Sequence, residues 1–170
     1  CVCVCSRLIS RVTASVELPG EEIARQLHTT PKRMEDYWRM SALGGVMSGS
    51  IGVQGHYANG LAALYLATGQ DAACVAESAV GVTRMELREG SRLFVSVTLP
   101  NIIAGTVGGG TGLPTQSAGL NIMGLKGAGK ARVFGEVCAA LCLAGELSII
   151  GALCAHEFAS AHKNLARGKA

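Results

Sequence analysis

The stretch VCAALCLAGELSIIGALCA, residues 137–155, decides how this chain folds. It is apolar and rich in small residues, apart from Glu146 near its middle. Such a run is long enough to cross a membrane, but a charge at mid-span is expensive in lipid. The stretch therefore predicts a helix over about residues 132–158, buried in the core of a folded protein, and no membrane segment. Three glycines would let neighbouring elements approach it closely: Gly135, Gly145 and Gly151.

Composition and charge limit the class of protein. The 170 residues suffice for about one domain with its own core. They are 49% hydrophobic and only 16% charged, whereas charge makes up roughly 25% of typical globular domains. So little charge predicts that a partner covers part of the surface. The net charge is only +3, and no run of basic residues is interleaved with aromatic residues. We therefore predict no nucleic-acid binding.

The seven cysteines indicate neither a disulfide framework nor a zinc site. Four lie in apolar segments, where a thiol behaves as a small hydrophobic residue: Cys74, Cys138, Cys142 and Cys154. The other three, Cys1, Cys3 and Cys5, alternate with valine and lack the C-x-x-C spacing of common zinc sites. We therefore predict no bound metal and a reducing, cytoplasmic compartment.

Local signals in the first third of the chain predict one strand and two helices. VTASVELP, residues 12–19, alternates as a strand that ends at a proline. Early acidic residues favour a short helix over residues 21–27, and Thr30-Pro31 opens a second helix reaching about Arg39. The glycine- and serine-rich residues 41–55 then predict a connection.

The remaining elements complete the predicted fold. A helix over about residues 56–68 ends at Gly69. Alternating apolar residues over 80–87 and 93–99 predict a hairpin. A helix over about residues 115–123 precedes the long apolar helix. The order predicts an α+β fold with a short antiparallel sheet.

GTVGGGT, residues 105–111, is the strongest chemical signal that spacing alone provides. Glycines let backbone N–H groups approach an anion, and a following helix adds the positive end of its dipole. The order of residues matches neither the G-x-G-x-x-G dinucleotide fingerprint nor a P-loop. Spacing alone leaves open both a phosphate-binding loop and a tight turn between strand and helix.

Several polar residues interrupt apolar surroundings. GQDAA, residues 69–73, places Asp71 directly after an apolar helical segment, and an unpaired buried carboxylate costs several kcal/mol or becomes protonated. His56 and Asn59 share a helical face at i and i+3. His162 precedes a basic tail. Taken singly, such residues serve structure more often than catalysis.

Three stretches, in this order and at this spacing, resemble the catalytic domain of hydroxymethylglutaryl-CoA reductases: GQDAA, LPNIIAGTVGGGTGLPTQSAGLNIMGLKGA and AGELSIIGALCAHEFASAH. The resemblance covers about residues 12–167. It implies reduction of hydroxymethylglutaryl-CoA (HMG-CoA) to mevalonate and CoA by two molecules of NADPH, or of NADH. On this basis residues 1–11 are an irregular N-terminal segment, and residues 12–170 are part of the large catalytic domain.

The resemblance also implies roles for individual residues. Asp71 would be a catalytic aspartate, buried through its pairing with a lysine and a glutamate. His162 would be the catalytic histidine that protonates the departing CoA thiolate. His56 would contact CoA, and Asn59 the hydroxymethylglutaryl group. The glycine-rich loop would lie along the nicotinamide cofactor through Gly108, Gly109, Gly110 and Thr111.

The sequence departs from the family pattern at one substrate-binding position. Met40 falls on the family's substrate-binding lysine. Beside it, Arg39 would bind the carboxylate of the substrate in its place, or that contact is lost.

The family's catalytic glutamate motif ENVIG, its lysine motif DKK and its dinucleotide motif DAMGMN do not occur in these 170 residues. We therefore expect a fragment that is inactive alone. Family sites form across subunit interfaces, which implies a homo-oligomer. Two alternatives stay open: another acyl-CoA oxidoreductase, and a non-catalytic CoA-binding or assembly module derived from the family.

Overall fold

The structure, a computed structural model, describes residues 8–50 and 54–156. The strands in this part of the chain are β1 (Leu8–Pro19), β2 (Val82–Arg88) and β3 (Arg92–Ala104). Its α-helices are α1 (Gly20–Leu27), α2 (Pro31–Met47), α3 (Tyr57–Thr68), α4 (Cys74–Ser78), α5 (Pro114–Ile122) and α6 (Ala131–Cys154). Short 3-10 turns cover Glu89–Ser91 and Gly109–Gly112. This combination confirms the predicted α+β class.

The strands form an antiparallel sheet in the order β1-β3-β2. The predicted hairpin is confirmed as β2 and β3, but β3 runs on through Pro100 to Ala104. Pro100 is tolerated because β2 pairs with β3 only as far as Thr98. The pairing of β1 with β3 also shifts register at this point, between Ser10 and Val12, so a ladder hydrogen bond is not required from the proline.

The sheet corrects one predicted boundary. β1 begins at Leu8, so the irregular segment predicted over residues 1–11 is wrong for residues 8–11, while residues 1–7 lie outside the described residues. Leu8 pairs with Ala104 at the far end of β3. The start of β1 is set by this distant partner, which no local pattern in the sequence reveals.

Helix α6 is the central helix of the fold, as predicted. It contacts β1 and β3 on the sheet and also α2 and α3. By length and composition alone, Ala131–Cys154 could cross a membrane, but half of its most apolar window is buried inside the fold. Its buried residues include Phe134 and Glu146. This packing is that of a core helix.

The cysteines of the apolar segments belong to the core, as predicted: Cys74, Cys138, Cys142 and Cys154 are all buried. Burial raises the pKa of Cys138 and of Cys142 to about 12. Both thiols therefore stay protonated at neutral pH, and a protonated buried thiol is unreactive.

Helix α2 is longer than predicted. It continues beyond Arg39 to Met47, although Gly45 is an unfavourable helix residue. The helix packs on β2, and the Trp38 indole Nε1 donates to the Thr83 carbonyl oxygen at 2.6 Å. Tertiary contacts outweigh the low helix propensity of the glycine-rich stretch, so the predicted connection begins only after Met47.

Candidate active site

The GQDAA segment and the glycine-rich loop lie against each other. Gly69 ends α3 in the left-handed conformation, with φ of 69°. A Cβ atom on Gly69 would lie 2.3 Å from the carbonyl carbon of Gly110, and one on Gly110 would lie 2.7 Å from the carbonyl oxygen of Gly69. Only residues without side chains allow the two backbones to cross at this distance.

Gln70 fastens this crossing. Its Oε1 accepts from the Gly105 N–H at 2.8 Å, and its Nε2 donates to the Gly105 carbonyl oxygen at 2.8 Å. Because Gly105 directly follows β3, the two bonds tie the end of α3 to the end of the central strand. The sequence patterns gave Gln70 no role. Its only signal was an amide side chain placed just after a helix-ending glycine.

Asp71 is exposed in the described chain, so the predicted burial is wrong there. The left-handed turn at Gly69 takes the chain out of the apolar helix before the aspartate is reached. Its Oδ1 accepts from the Ala73 N–H at 3.0 Å and so stabilises the turn into α4. Because the side chain is exposed, the carboxylate does not carry the desolvation cost of a buried charge.

The glycine-rich loop presents bare backbone beside the GQDAA segment. Gly108 and Gly109 are exposed and have positive φ angles of 79° and 54°. Thr111 is buried, and its hydroxyl donates to the Gly108 carbonyl oxygen at 2.7 Å. The threonine therefore shapes the loop from inside, while Gly108 and Gly109 form its accessible surface.

His56 and Asn59 lie at the other end of α3. His56 is the N-cap residue and is half-buried, whereas Asn59 is exposed in the first turn. The His56 ring occupies a slot between α3 and α6. A Cβ atom on Gly145 would lie 1.9 Å from its Nδ1, and one on Gly60 would lie 2.8 Å from it. Nδ1 is buried and has no hydrogen-bond partner among the described residues.

Glu146 is a polar residue of the core whose contacts sequence patterns did not predict. Its side chain is 2% exposed. Its Oε1 accepts from the His56 backbone N–H at 2.8 Å, and its Oε2 accepts from the Thr83 hydroxyl at 3.1 Å. Burial raises the pKa of Glu146 above its ordinary value, and these hydrogen bonds, with one from the Gly55 backbone N–H, offset only part of that rise. The available signal was a lone carboxylate within an otherwise apolar helix.

A cavity of about 350 Å³ opens beside Glu146, between α2, α6 and the start of β2. Its walls are mainly apolar and include Trp38, Ile149 and Leu153, with Glu146 and Thr83 as polar groups. Ligand sites commonly combine an apolar wall with a few fixed polar groups. The cavity therefore has the composition of a binding pocket.

The structure does not place Arg39 on this cavity wall. Its guanidinium forms an ion pair with Glu35 on the same helix, with 3.2 Å between Nη2 and Oε1. Glu35 also accepts from the Leu87 N–H at 3.4 Å, which links α2 to β2. The predicted contact of Arg39 with the substrate stays a prediction.

Apart from Arg39, the predicted site residues within the described part of the chain fall into two groups, one at each end of α3. The ends of this 12-residue helix lie about 18 Å apart, since each residue adds 1.5 Å. Asp71 and the glycine-rich loop share one end, and His56 and Asn59 share the other. His162, Cys1, Cys3 and Cys5 lie outside the described residues. Within residues 8–50 and 54–156, no three His, Cys, Asp or Glu side chains are grouped to hold a metal ion.

Comparisons with known proteins agree with the resemblance. A family model, hydroxymethylglutaryl-coenzyme A reductase, matches residues 1–167, including the segment that the resemblance had left out. The 3-hydroxy-3-methylglutaryl-coenzyme A reductase of Methanothermobacter thermautotrophicus is 45% identical over 158 residues, covering 92% of this chain and 40% of that protein. The Haloferax volcanii reductase is 44% identical over 162 residues, with the same coverage. Reductase 1 of Dictyostelium discoideum is 37% identical over 167 residues, covering 93% of this chain and 30% of that protein.

The backbone crossing yields a stability prediction with a matched control. Gly69→Ala should destabilise the chain by roughly 2–4 kcal/mol, because the methyl group collides with Gly110 in addition to straining a left-handed residue. Gly90 has nearly the same φ, 68°, but open space around it, so Gly90→Ala should cost only about 1–2 kcal/mol. Urea unfolding of both variants measures the difference. Equal losses would contradict the close crossing.

Proposed function

Because the chain belongs to the hydroxymethylglutaryl-coenzyme A reductase family, we propose that it forms part of an enzyme that reduces HMG-CoA to mevalonate and CoA. The chain spans 40% of the length of the Methanothermobacter and Haloferax relatives. The observation that carries the proposal is the Gly69–Gly110 crossing, which sets Asp71 beside the exposed glycines of the loop. The bare glycine backbone leaves room for a flat cofactor. The carboxylate beside it can hold a cation that stabilises the negative charge developing in the reaction.

The glycine-rich loop is proposed to contact the nicotinamide cofactor, NADPH or NADH. Gly108 and Gly109 fit this role because they are exposed, and a Cβ atom on Gly109 would meet nothing within 4 Å. A cofactor can therefore approach the loop backbone without a side chain in between. The bound cofactor supplies hydride, while Gly110 and Thr111 hold the loop in shape.

Asp71 is proposed to act electrostatically at this end of α3. Hydride attack on a thioester develops negative charge on the carbonyl oxygen, and cationic and hydrogen-bonding groups stabilise that charge. A fixed carboxylate can hold such a cation in place and in its charged form. The turn from Gly69 to Ala73 fixes the Asp71 carboxylate for this task.

The opposite end of α3 is proposed to bind the CoA thioester. His56 would contact CoA, and Asn59, exposed one turn later, would contact the hydroxymethylglutaryl group. The departing thiolate needs a proton, which we assign to His162, since histidine is suited to proton transfer near neutral pH. Arg39 would contact the substrate carboxylate only after leaving its ion pair with Glu35.

We also propose a homo-oligomer in which subunits meet on α2, near the site. Met40, Leu43 and Met47 follow the i, i+3, i+7 spacing of one helical face and are between 64% and 80% exposed. An exposed apolar face of this kind is typical of protein contacts. The same helix forms a wall of the cavity, so a partner on this face would lie next to the site. A cytoplasmic location is proposed from the reduced state expected for the cysteines.

One observation favours a second candidate function. The cavity beside Glu146 combines mainly apolar walls with a few polar groups, which suits binding without catalysis, so a non-catalytic CoA-binding or assembly module fits the same structure. The family match makes an unrelated acyl-CoA oxidoreductase the weaker alternative. A turnover experiment separates the two candidates.

We expect Asp71→Asn to lower turnover by about two orders of magnitude or more, the range seen when an electrostatic catalytic group is lost. The test uses a chimera in which residues 1–167 replace the matching segment of the Methanothermobacter reductase, and it follows NADPH oxidation by HMG-CoA. The Michaelis constant should change little. Glu77→Gln, an exposed carboxylate on α4, is the matched control and should keep full turnover. Full activity of Asp71→Asn would assign the aspartate to structure alone.

The proposed contact on α2 predicts a change in association. Leu43→Asp combined with Met47→Asp should shift the chain toward smaller species in sedimentation velocity, because charges on an apolar interface are costly to bury. Ile122→Asp, also at an exposed apolar residue but on α5, is the control and should leave association unchanged. A distribution of species unaffected by the α2 variant would rule out this face as the contact.

A further inference from the structure

Two consecutive residues of α6 form a seat for His56. Gly145 leaves the space that the imidazole ring fills, since any side chain there would overlap the ring. The next residue, Glu146, accepts a hydrogen bond from the backbone N–H of the same histidine. The side chain and the backbone of His56 are therefore both located by α6, a helix 90 residues away in the sequence.

The carboxylate of Glu146 supplies the cap that α3 lacks. The first N–H groups of a helix have no partner within the helix, and a negative charge there is favoured by the helix dipole. In the described chain the His56 side chain makes no capping hydrogen bond. Glu146 accepts instead from the N–H groups of His56 and Gly55. An ionised carboxylate in this position is stabilised by both effects.

A ring of hydrogen bonds keeps the carboxylate in one orientation. Its second oxygen accepts from the Thr83 hydroxyl, and Thr83 in turn lies 2.8 Å from the Tyr57 hydroxyl oxygen. Tyr57 directly follows His56, whose backbone N–H binds Glu146, so the contacts form a closed loop. All three side chains are buried, which makes rearrangement costly.

The slot also determines the tautomer of His56. A proton on Nδ1 would be a buried donor without an acceptor, which is unfavourable. Nδ1 has no hydrogen-bond partner among the described residues. A neutral ring therefore carries its proton on Nε2, and Nε2–H is the donor that His56 can offer to a ligand.

We propose that Gly145 and Glu146 are positioning residues that hold His56 in the Nε2–H tautomer and present that donor to an acceptor on the bound CoA thioester. The identity of this ligand rests on the proposed function. The seat itself is a property of the unliganded chain. Its test can therefore fail or succeed independently of catalysis.

The first experiment records long-range proton–nitrogen NMR spectra of the imidazoles in the full chain without ligand. His56 should show the Nε2–H pattern. In Glu146→Gln an amide donor replaces one of the two accepting oxygens and the charge is lost, so the hydrogen bonds that locate the His56 backbone weaken, and the Nε2–H pattern should be lost or mixed with the other tautomer. Glu136→Gln, at an exposed residue nearly three turns earlier on α6, is the control and should leave the spectrum unchanged. An Nδ1–H pattern in the unmodified chain would overturn the proposal.

A double-mutant cycle tests the slot even where one variant folds poorly. Gly145→Ala should lower the midpoint of thermal unfolding strongly, and adding His56→Ala should remove most of that loss because the overlapping ring is gone. Gly135→Ala on the same helix, where the methyl group meets only Ile102 at 3.8 Å, should be tolerated in either background. A loss in Gly145→Ala that persists without the His56 ring would show that the glycine serves something else, and would overturn the seat.

Binding of free CoA then links the seat to its ligand. Glu146→Gln should weaken CoA binding about tenfold, the effect of one misplaced hydrogen bond, while Glu136→Gln should not. Rescue by Glu146→Asp is not expected, since the shorter side chain cannot reach the N-terminus of α3. Unchanged CoA affinity in a variant that has lost the Nε2–H pattern would overturn the presentation of His56 to CoA, whereas failure of turnover alone would bear only on the proposed function.

Discussion

The hydrogen bonds from the N-terminus of α3 to the buried Glu146 carboxylate fix the relation between the two central helices. Removing a carboxylate from water is expensive, and it is tolerated here because three donors meet it: His56, Gly55 and Thr83. The same bonds decide where α3 begins and which way His56 points. α6 in turn packs on β1 and β3. The sheet therefore positions α6, and the Glu146 side chain on α6 positions the His56 backbone.

Helix α3 is fastened at both ends by side chains that bind backbone. At its start the partner is Glu146, and at its end Gln70 binds both polar groups of Gly105. Such contacts fix position more strictly than apolar packing, because a shift leaves buried polar groups unpaired. The helix therefore acts as a spacer of constant length between the proposed thioester-binding end and the proposed cofactor end. An extended ligand such as a CoA thioester suits a site built in this way.

Sequence patterns predicted the parts of the fold that local chemistry determines. Thr30 and Pro31 gave the start of α2, Gly69 gave the end of α3, and the glycine-rich loop was located correctly. The patterns failed where distant partners decide. The extent of α2 depends on the Trp38–Thr83 bond, and the start of β1 depends on β3. The sequence showed Glu146 only as one charged residue in an apolar helix. Its hydrogen-bond donors, the His56 N–H and the Thr83 hydroxyl, are distant in the sequence.

Asp71 shows why a resemblance can predict a residue's identity better than its environment. The family pattern implies a buried aspartate, yet the turn at Gly69 delivers Asp71 to the surface of this chain. Burial of that carboxylate requires other protein groups, and a cation among them would offset the loss of water. The apolar face of α2 likewise gains stability only when covered. Both features are consistent with the proposed homo-oligomer. The chain itself supplies an exposed carboxylate, a bare glycine backbone and a histidine held between two helices, and the proposed assembly would supply the low-dielectric surroundings in which such groups act strongly.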